Sequence, residues 1–264
     1  MSFKTKKSLG QNFLINPHIL DKIISAAEIS KEDTVIEVGP GTGLLTKKLS
    51  EKAGRVIGVE KDHRLIEPLK EAFKNSPNVE IIEGDVLELN TQGQWQGRSL
   101  PSEYKIVANI PYYITSNFIR TVSEEWPQPE LMVLTIQKEV AQRIIAKPPH
   151  MNLLALSVQY YYEPKIIGYI SKNNFRPVPK IDSAIIKLNP KTRVGDTNII
   201  SLFNLMHIGF SEKRKQLIPL LAKGLKTEKD RLTELFKKTG LNPTVRAENL
   251  SLEQWQQLKN NLPD

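Results

Sequence analysis

Five short apolar runs punctuate the first half of the chain: TVIEV (34–38), RVIGVE (55–60), VEIIEGD (79–85), KIVANI (105–110) and LMVLTIQ (131–137). Runs this short and this apolar are strands buried on both faces, and strands separated by helices assemble into a parallel sheet covered on both sides. Helical spacing supplies the covering. Ile19, Leu20, Ile23, Ile24 and Ala27 recur at that spacing within 18–29, and further helices are predicted over Thr42–Lys52, from an N-cap at Asp62 to Lys74, over 116–125 and over Lys138–Ala146. The pattern then changes. LLALSVQYYY (153–162), KIIGYI (165–170) and SAIIKLNP (183–190) read as β-type runs, an antiparallel addition to the sheet edge, with NFRPVPK (174–180) a proline-punctuated loop between the last two. From about residue 198 the chain reads as three or four short helices, with Gly240 closing one and Ser251 capping another. The expectation is an α/β domain over residues 1–192 followed by a small all-α domain over 193–264, divided in the polar stretch KTRVGDTN.

Charge is unevenly placed. The chain carries a formal +8, yet residues 21–136 hold 13 basic and 18 acidic side chains while residues 137–193 hold 10 basic and 3 acidic. A basic start, a basic second half and a basic tail around an acidic first domain fit a polyanionic partner. Charge alone leaves RNA, DNA and an anionic membrane open. Candidate phosphate contacts are Lys4, Lys6, Lys7, Lys138, Arg143, Lys147, Arg176, Lys180, Lys213, Arg214 and Lys215. No apolar run has membrane length, the start lacks a signal-peptide core, and there is no cysteine, so no membrane association and a cytoplasmic setting are expected. The histidines at 18, 63, 150 and 207 lie at no metal-ligand spacing, so no metal is expected, and nothing marks an oligomer rather than a monomer.

The chemistry gathers at strand ends. Glu37-Val38-Gly39-Pro40-Gly41-Thr42-Gly43 joins the first strand of the alternating set to a helix. Glycines let a backbone turn tightly and approach a ligand, and ligands of open parallel sheets bind at the carboxyl ends of strands. The spacing is G-x-G-x-G with Leu44 at the next position, which departs from the dinucleotide fingerprint, and there is no G-K-[ST] of a phosphate-binding loop. Gly39 and Gly41 are the candidate cofactor contacts of this loop. Glu60 ends the next strand and can accept both hydroxyls of a ribose; Asp85 ends the third and can accept from an exocyclic adenine amine. Either acid alone reads as an ordinary strand end. Three such features on three successive strands point to a nucleoside-bearing cofactor.

Asn109-Ile110-Pro111-Tyr112 ends the fourth strand. The Asn109 amide oxygen and the Ile110 carbonyl can both accept from an exocyclic amine. Pro111 donates no N–H and restrains Ile110 to extended geometry. Tyr112 offers an aromatic face to a base, whereas Tyr113 reads as packing. The residues by themselves support methylation of an amine on an adenine-like base.

These segments resemble the small-subunit ribosomal RNA adenine dimethyltransferases. The likeness spans nearly the whole chain and is carried by SLGQNFL (8–14), IEVGPGTGLLT (36–46), EGDVL (83–87), ANIPYYI (108–114), FRPVPKIDSAI (175–185), FSEKRK (210–215) and GLNPTVRAENLSLEQW (240–255). It departs at QLIPLLAKGL, after FSEKRK. The resemblance implies a Rossmann-like methyltransferase sheet with a helical, RNA-binding C-terminal domain. It implies S-adenosylmethionine as cofactor, held by Asn12, Leu14, Gly39, Glu60, Asp85 and Asn109. It implies a catalytic motif at Asn109–Tyr112, and Phe175 as an aromatic that helps hold the target base. The implied substrate is a pair of adjacent adenosines near the 3′ end of 16S rRNA, in the small ribosomal subunit or its precursor. A 23S rRNA adenine methyltransferase is the nearest rival. A DNA adenine methyltransferase fits less well, since Ile110 stands where a second proline is usual, and a non-catalytic ribosome assembly factor is the rival of a different class.

Overall fold

The structure is a computed structural model that describes residues 10–88, 94–95, 98–192, 199–212 and 214–262. The chain forms two compact units: Met1–Gln142 with Tyr162–Pro190, and Arg143–Tyr161 with Lys191–Asp264.

The first unit runs β1 (Phe13–Leu14), α1 (Pro17–Ala27), β2 (Thr34–Val38), α2 (Leu44–Lys52), β3 (Arg55–Glu60), α3 (His63–Ala72) and β4 (Val79–Glu83). A short antiparallel pair, β5 (Gln94–Trp95) and β6 (Arg98–Ser99), precedes β7 (Lys105–Asn109), α4 (Thr115–Glu124), β8 (Leu131–Gln137) and α5 (Lys138–Ile144). α6 (Leu153–Tyr161) precedes β9 (Tyr162–Ile170), β10 (Phe175–Arg176) and β11 (Ser183–Pro190). The main sheet has seven strands in the order β4-β3-β2-β7-β8-β11-β9. β4 through β8 are parallel, and β11 lies antiparallel between β8 and β9. The expected α/β sheet with an antiparallel edge is therefore what forms.

The alternating runs fold this way because the inner strands hide both faces, while β4, at the sheet edge, is only partly buried. Val35, Ile36, Ile106, Val107, Val133 and Leu134 are all essentially inaccessible. α1 and α2 bury Leu20, Ile23, Leu45 and Leu49 in the core against one sheet face. The caps are legible too. Asn16 accepts from the backbone of His18 to start α1, and Asp62 accepts from Arg64 to start α3. Order reverses between β2 and β7: the chain moves outward from β2 through β3 and β4, then returns to lay β7 on the other side of β2. Loops after β2 and β7 diverge there and leave a crevice at the carboxyl ends of the strands.

The second unit packs α6 with α7 (Ile199–Gly209), α8 (Leu217–Leu225), α9 (Lys229–Lys238) and α10 (Leu252–Asn261) around Trp255, Phe236, Leu221 and Met206. Ser251 and Gln254 form a capping box that opens α10. Here the structure corrects two expectations. Residues 153–161 form a helix, not a strand. Asn152 starts it, its side-chain oxygen accepting from Ala155 at 3.1 Å. The β-prone Tyr160 and Tyr161 sit instead against Phe203, at ring separations of 5.6 and 6.2 Å. Packing of that aromatic group overrides their strand preference. As a result the helical unit draws in Arg143–Tyr161, which the division at residue 192 had left in the first domain.

Candidate active site

The crevice at the reversal point is a cavity of about 770 Å³, counting its open mouth. Its walls are the glycine loop after β2, Glu60 and Lys61 after β3, Asp85 and Val86 after β4, Asn109–Ile114 after β7, and Gly10–Phe13 laid across them.

Two glycines set the loop. Gly39 (φ +68°) donates its N–H to the Val59 carbonyl at 2.9 Å. Gly41 (φ +60°) donates to Glu60 Oε2 at 3.0 Å, and a Cβ there would stand 2.7 Å from the Phe13 ring. The loop therefore turns where only glycine turns freely, and it accepts the N-terminal segment at van der Waals contact.

Glu60 is buried, 6 % exposed, and takes a second backbone N–H from Asp62 at 2.8 Å. Burial raises its pKa, and the amide hydrogen bonds offset part of that. A carboxylate has room for about four hydrogen bonds. The two amides fix Glu60 in place and leave acceptor capacity toward the cavity, which suits a ribose diol. Asp85 accepts from the Leu87 N–H at 3.0 Å and meets Lys61 Nζ at 2.5 Å. Both acids occupy the strand ends where the sequence placed them.

Asn109 is held by its amide nitrogen, which donates to the Asn12 carbonyl at 2.9 Å. That bond commits the amide nitrogen and leaves Oδ1, the amide's acceptor, outside it. The Ile110 N–H is tied to the Thr135 carbonyl at 3.2 Å, and the Pro111 carbonyl is taken by Ile114 at 3.1 Å. The turn is therefore pinned on both sides of the Ile110 carbonyl. The Tyr112 hydroxyl shares a hydrogen bond of 2.7 Å with Ser183 Oγ, and burial pushes its pKa up, so the ring is neutral and fixed.

Asn12, Gly39, Gly41, Glu60, Asp85 and Asn109 through Tyr112 thus share one cavity. Two candidates stand elsewhere. Leu14 is 5 % exposed, with its side chain in the core, and Phe175 is wholly buried beside it. The cause is strand geometry. β1 and β10 pair antiparallel with Leu14 opposite Phe175, so both side chains take the same face, while Phe13, one residue earlier, takes the cavity face. Phe175 is therefore no wall for a base. Tyr113 is the converse correction: it is 58 % exposed, lines the cavity, and lies against Gly10. Sequence reasoning also passed over Lys61 and over Gln11, whose amide donates to Asp62 at 2.7 Å. The only signals for these two were adjacency to Glu60 and to Asn12.

The phosphate candidates are less gathered. Lys138 and Lys180 line one open groove of the first unit together with Lys172. Arg176 spends its guanidinium on the Asn173 and Phe175 carbonyls. Arg143, Lys147, Arg214 and Lys215 belong to the second unit, where Lys215 pairs with Glu212 at 2.8 Å. Lys4, Lys6, Lys7 and Lys213 lie outside the described residues. Among the described residues there is no cluster of His, Asp or Glu able to hold a metal ion, and no helix is long and apolar enough to cross a membrane.

A mostly parallel sheet whose switch point carries a glycine loop, a buried strand-end acid and an Asn-Ile-Pro-Tyr turn is the Rossmann-like fold of an S-adenosylmethionine-dependent methyltransferase. The ribosomal RNA adenine dimethylase family model matches residues 2–264, and the chain belongs to that family. It is similar to the ribosomal RNA small subunit methyltransferase A of Dehalococcoides mccartyi (strain ATCC BAA-2100), at 43 % identity across 97 % of this chain and 88 % of that one. The protein of the same name from Clostridium botulinum (strain Okra) is 41 % identical across 99 % and 95 %. Two solved structures share the fold. A dimethyladenosine transferase from Plasmodium falciparum superposes with a TM-score of 0.80 at 30 % identity, covering 93 % of this chain and 95 % of that one. The 23S rRNA methyltransferase ErmE gives 0.77 at 25 % identity, covering 94 % and 98 %.

Proposed function

We propose that this enzyme dimethylates N6 of two adjacent adenosines near the 3′ end of 16S rRNA, in the small ribosomal subunit or its precursor, as a cytoplasmic monomer. The observation that carries the amine chemistry is the Asn109–Asn12 hydrogen bond on the cavity wall, which holds the amide by its nitrogen and leaves Oδ1 as the acceptor offered to an amine. The names of the relatives support the small subunit as target. The basic helical unit is assigned to RNA or ribosome binding on the same reading.

The residues fit the cofactor. Gly41 N–H and Glu60 form a polar cradle with no Cβ in the way, and Asp85 closes the adenine end. Bound there, S-adenosylmethionine supplies an electrophilic methyl group on a sulfonium. The protein's work is then placement. Holding the two partners in line is worth about 7–11 kcal/mol in well-oriented reactions. The N6 lone pair is delocalised into the ring, and Asn109 Oδ1 with the Ile110 carbonyl stabilise positive charge as it develops on the nitrogen. Tyr112, locked to Ser183, presents its ring to the extruded base. The surplus N6 proton, acidic once the nitrogen is alkylated, leaves to solvent, so no side chain is required as a dedicated base.

The ErmE likeness favours one second reading, a 23S target. Transfer of labelled methyl groups to unmodified 30S and 50S particles, mapped to the nucleotide, decides between them. Label on adjacent adenosines of 16S rRNA is the expected result; label on 23S rRNA overturns it, and no label with tight 30S binding indicates an assembly factor.

A further inference from the structure

Beyond Tyr112 the sheet edge continues into a surface that the chemistry above does not use. Ser183, the hydrogen-bond partner of Tyr112, begins β11 and stands opposite Gln137 of β8 and Ile170 of β9. β9 runs parallel to β8, so all three elements meet at the sheet edge that carries the cofactor cavity. The residues just past that edge are Lys138, Lys172 and Asp182. Asp182 knits them together: its carbonyl accepts from the Lys138 N–H and its carboxylate from the Lys172 N–H, both at 3.0 Å. Lys138, Lys172 and Lys180 then line an open groove, with Ile181 exposed along it. Lys138 Nζ reaches over the ring of Tyr169, 5.1 Å from its centre, yet 53 % of Tyr169 stays accessible.

We infer that this shelf binds the single-stranded RNA flanking the target adenosine, with a neighbouring base on Tyr169 and phosphates on Lys172, Lys138 and Lys180. Three features select that occupant. An exposed aromatic ring beside ammonium groups matches the alternation of base and phosphate in a single strand. Asp182 ties the Lys172 turn and the start of α5 to the head of β11, its carboxylate accepting from the Lys172 N–H and its carbonyl from the Lys138 N–H, so the backbone that carries these lysines is fixed. The shelf is joined to the base-facing tyrosine through one hydrogen bond and one peptide link, so a strand with one nucleotide extruded toward Tyr112 has its neighbours there. Glu139, also on the groove, opposes phosphate and limits affinity. This rests on the reading of RNA as substrate and adds where the strand runs.

Anisotropy of a fluorescent single-stranded oligoribonucleotide reads the shelf without catalysis. Tyr169→Ala and Lys172→Ala each weaken binding about five- to tenfold, in the range of one lost stack or phosphate contact. Tyr169→Phe retains wild-type affinity because the ring remains, and Glu139→Gln tightens binding. Calorimetric cofactor affinity is unchanged in all four. Lys172 lies in an exposed turn, so its variant keeps the test open should Tyr169→Ala fail to fold. Unchanged RNA affinity in Lys172→Ala and in a folded Tyr169→Ala overturns the inference. If instead the wild type methylates no 30S particle while Lys172→Ala still loses oligoribonucleotide affinity, the shelf stands and the small-subunit target falls.

Discussion

Asn109 Nδ2 donates to the Asn12 carbonyl across 97 residues of sequence, at 2.9 Å, and that bond ties the end of β7 to the N-terminal segment on the cavity wall. Replacing Asn109 with Ala removes both the anchor and the acceptor. Loss of one preorganised hydrogen-bonding group aimed at developing charge costs about 10²–10³ in turnover. Single-turnover methyl transfer should fall by at least that much while cofactor affinity, which we assign mainly to Glu60 and the glycine loop, falls less. Near-normal turnover in the variant excludes the assigned role.

Glu60→Ala should weaken cofactor binding and leave RNA affinity little changed. The carboxylate holds the Gly41 and Asp62 amides as well as facing the cavity, so its removal loosens the loop and deletes the ribose acceptor together. Isothermal titration with cofactor, beside filter binding with RNA, separates the two effects; equal cofactor affinity in wild type and variant rejects the assignment.

Gly41→Ala and Gly39→Ala differ in a way the loop geometry dictates. Both residues have positive φ, which costs an ordinary side chain roughly 1–2 kcal/mol. Only at Gly41 does the new Cβ also meet a ring, at 2.7 Å from Phe13; nothing lies within 4 Å at Gly39. Cofactor affinity should therefore drop further in Gly41→Ala, with Phe13 displaced. Equal losses in the two variants count against the Phe13 contact.

Phe175→Ala tests the corrected position. A wholly buried phenylalanine costs about 3–5 kcal/mol on truncation, so the variant should melt well below wild type. Phe175→Leu keeps most of the volume and should turn over at close to the wild-type rate at a temperature where both are folded. A large loss of turnover in a stable Phe175→Leu restores the catalytic role.

Glu37, beneath the loop, predicts a pH dependence of stability. Burial raises its pKa to about 8, helped by the nearby Glu60 charge and partly offset by Thr46. The folded state therefore holds a proton that the unfolded chain releases near the ordinary carboxylate value. This group's contribution to stability is greatest in acid, declines as pH rises from about 4.5, and levels off above about 8. Glu37→Gln carries no such proton, so its melting temperature should gain on wild type progressively between pH 5 and 8. A constant difference across that range shows that Glu37 does not titrate there.

Residues 34–137 announced a parallel sheet because its inner strands are buried on both faces and the helices between them are amphipathic, so local pattern and global fold agree. The same local agreement exposed Glu60, Asp85 and Asn109, which sit at strand ends that the apolar runs delimit. Leu153–Tyr161 did not yield to that logic: its β-prone residues serve a helix, because the aromatic partner that holds them, Phe203, lies 42 or more residues away.

By itself the sequence determined the α/β sheet, the glycine loop and the Asn-Ile-Pro-Tyr turn, since each is written in a contiguous stretch whose geometry follows from its own glycines, prolines and apolar spacing. Only the tertiary structure decided which flanking aromatics face the cavity. Phe13 and Tyr113 reach it and Phe175 does not; for Phe13 and Phe175 the reason is the pairing of Leu14 with Phe175, which fixes their faces and joins segments some 160 residues apart. The join between Tyr112 and the lysine shelf is of the same kind: a single hydrogen bond to Ser183, made where three strands end together.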